Sequence, residues 1–467
     1  MLLGWLVGPR PVRLGPDTVG DVELAASVRA TISDPDGYRT LSIALVEHGT
    51  VRFAGLGGGV EPATSFEIGS VTKALTGMLL ADLVADGTVR TDELLKELLP
   101  DVALAAPTIA NITLDALASH RAGLPAVWMT SSGQVSAAGP YAGQDVGRLL
   151  SSVGGTPVTD PGTVRYSNYG MALLGAALGA RTGMSYPELL RQRILQPLGM
   201  AETRFHLDGE PIPEPHADGS TVSGRATAPW QGSGYAPAGV GAWSTAPDLA
   251  KLVNAILQGT APGIAASTPR FDAGALAPGR RIGYGWFTDT TSSDPARDIT
   301  WHNGGTGGFR SFVGFDRAAG RGVVVLGNTD RSVTELGKGL LVGRALPDRG
   351  PAGPGGLAIA VTVLLSLGGA LVLLLATLRH PDRLKLVATG IWAVAGPVLA
   401  YPVGAWQVVP WLLWAVGAGL SAAALMLAAL RWRWIRTYRG RWAWLGWLST
   451  GLSVLTAASA VATFGIR

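Results

Sequence analysis

The sequence predicts an α+β domain, with an antiparallel sheet flanked by helices, followed by a membrane region of about four helices. Three observations predict it. Short apolar runs rich in Val, Ile and Phe follow one another across tight turns at 41–54 and 282–326, and such close succession implies antiparallel pairing. Apolar residues at helical spacing fill 71–84 and 171–180, and another helix begins around 245. Beyond residue 356 the composition shifts to Leu, Ala, Val, Trp and Gly, in runs near the roughly 20 residues that cross a bilayer.

Composition narrows the chemistry. The 467-residue chain has no cysteine, which removes thiol catalysis, disulfides and thiolate metal sites. No His-Glu-x-x-His occurs and no Gly-Lys-Ser/Thr follows a glycine run, so neither a metal nor a nucleotide P-loop is expected, and no cofactor is expected. The net charge of +4 comes largely from arginines near the apolar segments, which argues for membrane orientation and against nucleic acid. Residues 1–16 form an N-terminal segment without an assigned role, 17–345 a globular domain, 346–356 a Pro/Gly linker and 357–467 the membrane domain.

In chain order, 17–31 reads as a helix, and 41–46 and 51–54 as a hairpin turned by His48-Gly49. The hairpin leads into Phe66-Glu67-Ile68-Gly69-Ser70-Val71-Thr72-Lys73, the start of a largely apolar helix closed by Asp86-Gly87. A helical piece at 112–120 ends at Gly123-Leu124-Pro125, with His120 read as a C-terminal residue of that helix. Residues 126–160 are Gly/Ser-rich and read as a loop-laden insertion near a cleft. Residues 191–198 read as a helix end. The stretch 205–245, rich in Pro, Gly and Ser, reads as a long loop or substrate lid, and strands are expected at 282–287, 299–302, 310–315 and 322–326.

Three motifs carry chemistry. In Ser70-x-x-Lys73 the two residues share a helix face, so the amine reaches the hydroxyl while the helix N-terminus favours a developing alkoxide; a plain serine cap is the simpler reading. In Tyr166-Ser167-Asn168, Tyr166 is either a packing residue beside an N-cap or a proton relay next to Ser70, with Asn168 a donor to Lys73 or a substrate carbonyl. In His302-Asn303-Gly304-Gly305, the glycines either make a tight turn or let the backbone approach a substrate and offer an N–H to an oxyanion.

In this fixed order the three motifs resemble the serine β-lactamase/penicillin-binding-protein superfamily, in the branch of class C β-lactamases, D-alanyl-D-alanine carboxypeptidases and esterases. The resemblance spans about residues 20–345 and includes Pro161-Gly162, Pro197-Leu198-Gly199-Met200 and His302 through Phe309. It implies a β-lactamase/transpeptidase-like domain in which an all-helical region accompanies the sheet. It also implies an acyl-enzyme mechanism: Ser70 as nucleophile, Lys73 and Tyr166 sharing the proton work, Asn168 orienting Lys73 and substrate, and the N–H groups of Ser70 and Gly305 as oxyanion hole. The third motif departs from the Lys-Thr-Gly of the best-known members. An imidazole at 302, mostly neutral at pH 7, supplies less positive field, so ester, amide or peptide substrates are expected ahead of β-lactams. A non-catalytic receptor that binds a wall fragment and signals through the membrane is the alternative.

Four spans are expected, at 357–378, 386–403, 408–430 and 442–464, the second interrupted by Pro397 and Pro402. The loops 379–385 and 431–441 are basic and should stay cytoplasmic, which places the hydrolase domain outside, facing the cell envelope. The apolar run 2–7 lacks a preceding positive charge and is too short for a secretory signal, so an upstream start or a short signal of another kind is expected.

Overall fold

The computed structural model describes residues 8, 9, 12–104, 106–127, 139–207, 209–290, 297–347, 356–379, 382–406, 408–435 and 443–464. The chain divides into two compact units, one of Leu14–Ser220 with Thr227–Gly350, the other of Met1–Arg13, Thr221–Ala226 and Pro351–Arg467. Most of the predicted linker, part of the 126–160 insertion, much of the N-terminal segment and much of the second basic loop lie outside the described residues.

The first unit is built on a nine-stranded antiparallel sheet. Its strands are β1 (Thr18–Gly20), β2 (Leu41–Glu47), β3 (Thr50–Leu56), β7 (Phe271–Asp272), β8 (Arg281–Ile282), β9 (Phe287–Thr290), β10 (Asp298–Gly305), β11 (Arg310–Asp316) and β12 (Arg321–Gly327), in the order β1-β3-β2-β12-β11-β10-β9-β8-β7. A second sheet joins β4 (Phe66–Glu67), β5 (Arg204–Phe205) and β6 (Ala242–Ser244) in the order β4-β6-β5. His48 and Gly49, both at positive φ, turn the β2–β3 hairpin with Glu47 opposite Thr50, the geometry that matches strand twist. Helices cover both faces of the large sheet, so its central strands are apolar on both sides. Val323 and Val325 pack with the helices Val22–Thr31 and Thr334–Val342, while Val324 and Leu326 face the larger core around the helix Thr72–Ala85.

Two expected elements differ. Residues 18–20 pair with β3 as a strand, and the helix begins only at Val22, where Asp21 caps it by accepting from the Leu24 N–H. The strand expected at 282–287 is broken by a turn at Gly283–Trp286. Gly285 sits at φ +69, and a Cβ there would lie 2.2 Å from the Lys73 carbonyl oxygen. The helix Thr72–Ala85 approaches so closely that only glycine fits, and the chain turns instead of extending.

The second unit contains a helical stretch from Gly356 to Leu378 and the helices Arg383–Val403, Trp411–Arg431 and Ala443–Phe464. Among the described residues three helices, Gly356–Leu378, Arg383–Val403 and Trp411–Trp434, are long and apolar enough to cross a membrane, where four were expected. The fourth expected span, 442–464, is occupied by the helix Ala443–Phe464. Pro397 and Pro402 do not interrupt their helix. The helices approach through glycine: a Cβ on Gly417 would lie 1.9 Å from the Ser366 carbonyl oxygen, and one on Gly369 2.3 Å from that of Trp392. Small residues let the helices approach this closely.

Candidate active site

The helix Thr72–Ala85 is buried almost throughout, and Ser70 lies in the single 3-10 turn, Gly69–Val71, that leads into it. That turn places Ser70 and Lys73 on one side: Lys73 Nζ donates to Ser70 Oγ at 2.8 Å and to the Ala238 carbonyl at 2.5 Å. Lys73 is wholly inaccessible to water. Its described partners are a hydroxyl and a carbonyl and include no carboxylate, so burial alone pulls its pKa well below the ordinary lysine value of 10.5.

Tyr166, half-buried, reaches the same point from a distant part of the chain. Its hydroxyl is hydrogen-bonded to Ser70, and Lys73 Nζ stands 5.0 Å from the centre of its ring. Burial raises the Tyr166 pKa despite that hydrogen bond, so the phenol keeps its proton. Ser70, Lys73 and Tyr166 therefore come together as the sequence predicts.

The remaining predicted residues are arranged less simply. Asn168 opens the helix Asn168–Thr182, which Ser167 caps by accepting from the Gly170 N–H. Its amide donates to the Tyr141 hydroxyl at 2.7 Å, and its Oδ1 is buried with no partner among the described residues. Besides Ser70, the described partner of Lys73 Nζ is the Ala238 carbonyl, from the short turn Ser233–Ala238 inside the long loop. His302 is buried on β10, stacked on Phe287 at 5.3 Å, and donates from Nδ1 to the Asn303 carbonyl at 2.6 Å. Burial, with Lys73 nearby, pulls its pKa down to about 3, so the ring is neutral and adds no positive field. Gly304 and Gly305 end β10 against the Ser70 turn. A Cβ on Gly304 would lie 2.0 Å from the Ile68 carbonyl oxygen, and one on Gly69 2.8 Å from the Gly305 nitrogen.

Sequence reasoning missed four groups. His120, read as a helix end, sits at φ +58 with its ring 4.8 Å from that of Tyr166, and its Nδ1 accepts from the Ser167 N–H at 3.3 Å. The short segment from Ser119 to Pro125, between a helix and a proline, was the available signal. Tyr141 lies in a stretch without periodicity, the Ala238 contact is a backbone one, and Glu67, buried on β4 three residues before Ser70, falls in a run read as the start of the Ser70 helix.

This geometry fits the class of proteins in which a serine is activated by a nearby lysine. The sequence model of the Beta-lactamase family matches residues 28–343, and the chain belongs to that family. Among curated proteins, Esterase EstB of Burkholderia gladioli is 27% identical over 304 residues, covering 57% of this chain and 78% of that protein. Penicillin-binding protein 4 of Amycolatopsis lactamdurans is 29% identical over 157 residues, covering 33% of this chain and 39% of that one. A class C beta lactamase from Rhodobacter sphaeroides has the same fold, with TM-score 0.55 and 23% identity over 66% of this chain and 93% of its own.

Proposed function

We propose that this chain is a membrane-anchored serine hydrolase that forms an acyl-enzyme on Ser70 and cleaves ester, amide or peptide bonds in the cell envelope. The observation that carries the reading is the Lys73 amine, buried without a carboxylate and 2.8 Å from the Ser70 hydroxyl. Burial that lowers a lysine's pKa favours its neutral, lone-pair-bearing form, the form that can act as a base.

In acylation the Ser70 proton passes to Lys73 Nζ as Oγ bonds to the substrate carbonyl carbon. The N–H groups of Ser70 and Gly305 receive the oxyanion, an interaction of a kind that contributes roughly 3 kcal/mol per donor. When the tetrahedral intermediate collapses, Tyr166 gives its proton to the departing alcohol or amine and recovers one from the Lys73 ammonium, leaving the amine free again. Water then attacks the ester on Ser70, losing a proton to the same pair as Ser70 is released. Asn168, with an unpartnered Oδ1, suits a substrate N–H. The neutral His302 gives a substrate carboxylate no cation, which favours esters and amides over β-lactams. The similarity to an esterase points the same way.

The test is a panel of p-nitrophenyl esters, D-aminoacyl amides and a chromogenic cephalosporin, on wild type and Ser70→Ala. The reading predicts turnover of the ester or amide and its loss in the variant. Stable labelling of Ser70 by a serine-directed probe without turnover of any substrate would instead favour a receptor. For location, the basic loops near 379–385 and 431–441 support residues 17–345 lying outside the cytoplasm; full protection of that domain from protease in spheroplasts would contradict this.

A further inference from the structure

Glu67 takes no part in the chemistry above, yet its surroundings are those of a built device. It lies on β4, three residues before Ser70, and is 2% exposed. One carboxylate oxygen, Oε2, accepts from the Thr306 hydroxyl at 2.7 Å. The other, Oε1, accepts from the Trp230 backbone N–H at 3.0 Å. Thr306 directly follows Gly305, and Trp230 belongs to the long loop that also delivers Ala238 to Lys73.

The two arms reach the two parts of the site that sequence proximity cannot hold. Thr306 anchors the end of β10, where Gly305 abuts Gly69 with no room for a side chain. Trp230 stands with its ring 5.7 Å from that of Tyr141, the residue that accepts the Asn168 amide. A Cβ on Gly307 would come within 3.0 Å of the Trp230 indole nitrogen. The carboxylate thus fastens the Gly305 turn and the Trp230–Tyr141–Asn168 wall to the strand that enters the nucleophile turn. No described ion pair accompanies the Glu67 carboxylate, and burial pushes its pKa up to about 7 against the effect of its two hydrogen bonds. Keeping a carboxylate here is costly, which a purely structural polar contact need not be.

We infer that Glu67 is a positioning residue for the hydrolytic reaction: it holds the Gly305 amide and the Trp230 wall in register with Ser70, without touching substrate. The inference rests on the acyl-enzyme reading above. Displacement of a preorganised oxyanion donor weakens an interaction made in the transition state and spares ground-state binding, so the effect falls on kcat.

The experiment compares wild type, Glu67→Gln, Thr306→Val, the double variant and Thr306→Ser on the best substrate of the panel. Each single loss lowers kcat about 10- to 100-fold, in line with the cost of a misplaced catalytic group, with KM changed less than about threefold. The double variant loses less than the product of the two single losses, because Thr306→Val removes a contact that already ends at the altered residue 67 side chain, and Thr306→Ser, which keeps the hydroxyl, recovers most of the loss. Circular dichroism and thermal melting establish that each variant is folded; if Glu67→Gln does not fold, Thr306→Val against Thr306→Ser carries the test. Wild-type kcat in Glu67→Gln or in Thr306→Val, equal losses in Thr306→Val and Thr306→Ser, or losses that simply multiply in the double variant overturn the inference. Ser70→Ala separates the two failures. If it remains active the acyl-enzyme reading fails; if it is inactive while Glu67→Gln keeps the wild-type kcat, the inference about Glu67 alone fails.

Discussion

Lys73 carries the conflict between stability and function in this molecule. An amine with no access to water and no anionic partner is forced toward its neutral form, and the protein bears that cost. Because the folded pKa lies below 10.5, the unfolded chain binds the extra proton between the lowered value and 10.5. Stability from this residue therefore rises as pH climbs through that window. Lys73→Met, which fills the same space without a titrating group, should melt above wild type at pH 7, with the gap narrowing toward pH 10.5. The same variant should lose about 1000-fold or more in kcat/KM, since it lacks a base. Equal melting temperatures across that range would mean that the lysine is not desolvated as described.

At the scale of elements, the site is assembled by close approach of backbones. The helix Thr72–Ala85 rests on the turn Gly283–Trp286 so closely that a Cβ on Gly77 would lie 1.9 Å from the Tyr284 carbonyl oxygen. Gly77→Ala should destabilise the domain by about 1–3 kcal/mol, as overpacking against unyielding neighbours does. Gly155→Ala, where nothing lies within 4 Å and φ is not positive, should change stability by less than about 0.5 kcal/mol. Chemical denaturation of both variants checks the contrast. These contacts explain what sequence reading reached and what it missed. The hairpin, the Ser70 helix and strands β10 to β12 follow from local periodicity and turn chemistry, and are found. The break at Gly283–Trp286 and the Ala238 contact to Lys73 arise from tertiary approach between segments more than 160 residues apart, which no local pattern records.

On the scale of the whole molecule, the two units follow different rules. The first buries apolar residues from water around a sheet covered on both faces; the second packs apolar helices through glycines, with carbonyl oxygens near the points of approach. The change in composition beyond residue 356 is visible in the sequence, and three helices there are long and apolar enough to cross a membrane among the described residues. The closeness of Ser70 and Lys73 was legible too, since they stand three residues apart where a turn leads into a helix. The positions of His120, Tyr141 and Glu67 were not, because each meets its partners from a distant part of the sequence. The central claim is that Lys73, buried beside Ser70, makes that hydroxyl a nucleophile, and intact-protein mass spectrometry tests it most directly. The full chain in detergent is incubated with a fluorophosphonate or an activated ester, followed by peptide mapping, for wild type and Lys73→Met. The account predicts one adduct per chain, located on Ser70 and formed far more slowly in the variant; an adduct on another residue, or equal rates in both proteins, would contradict it.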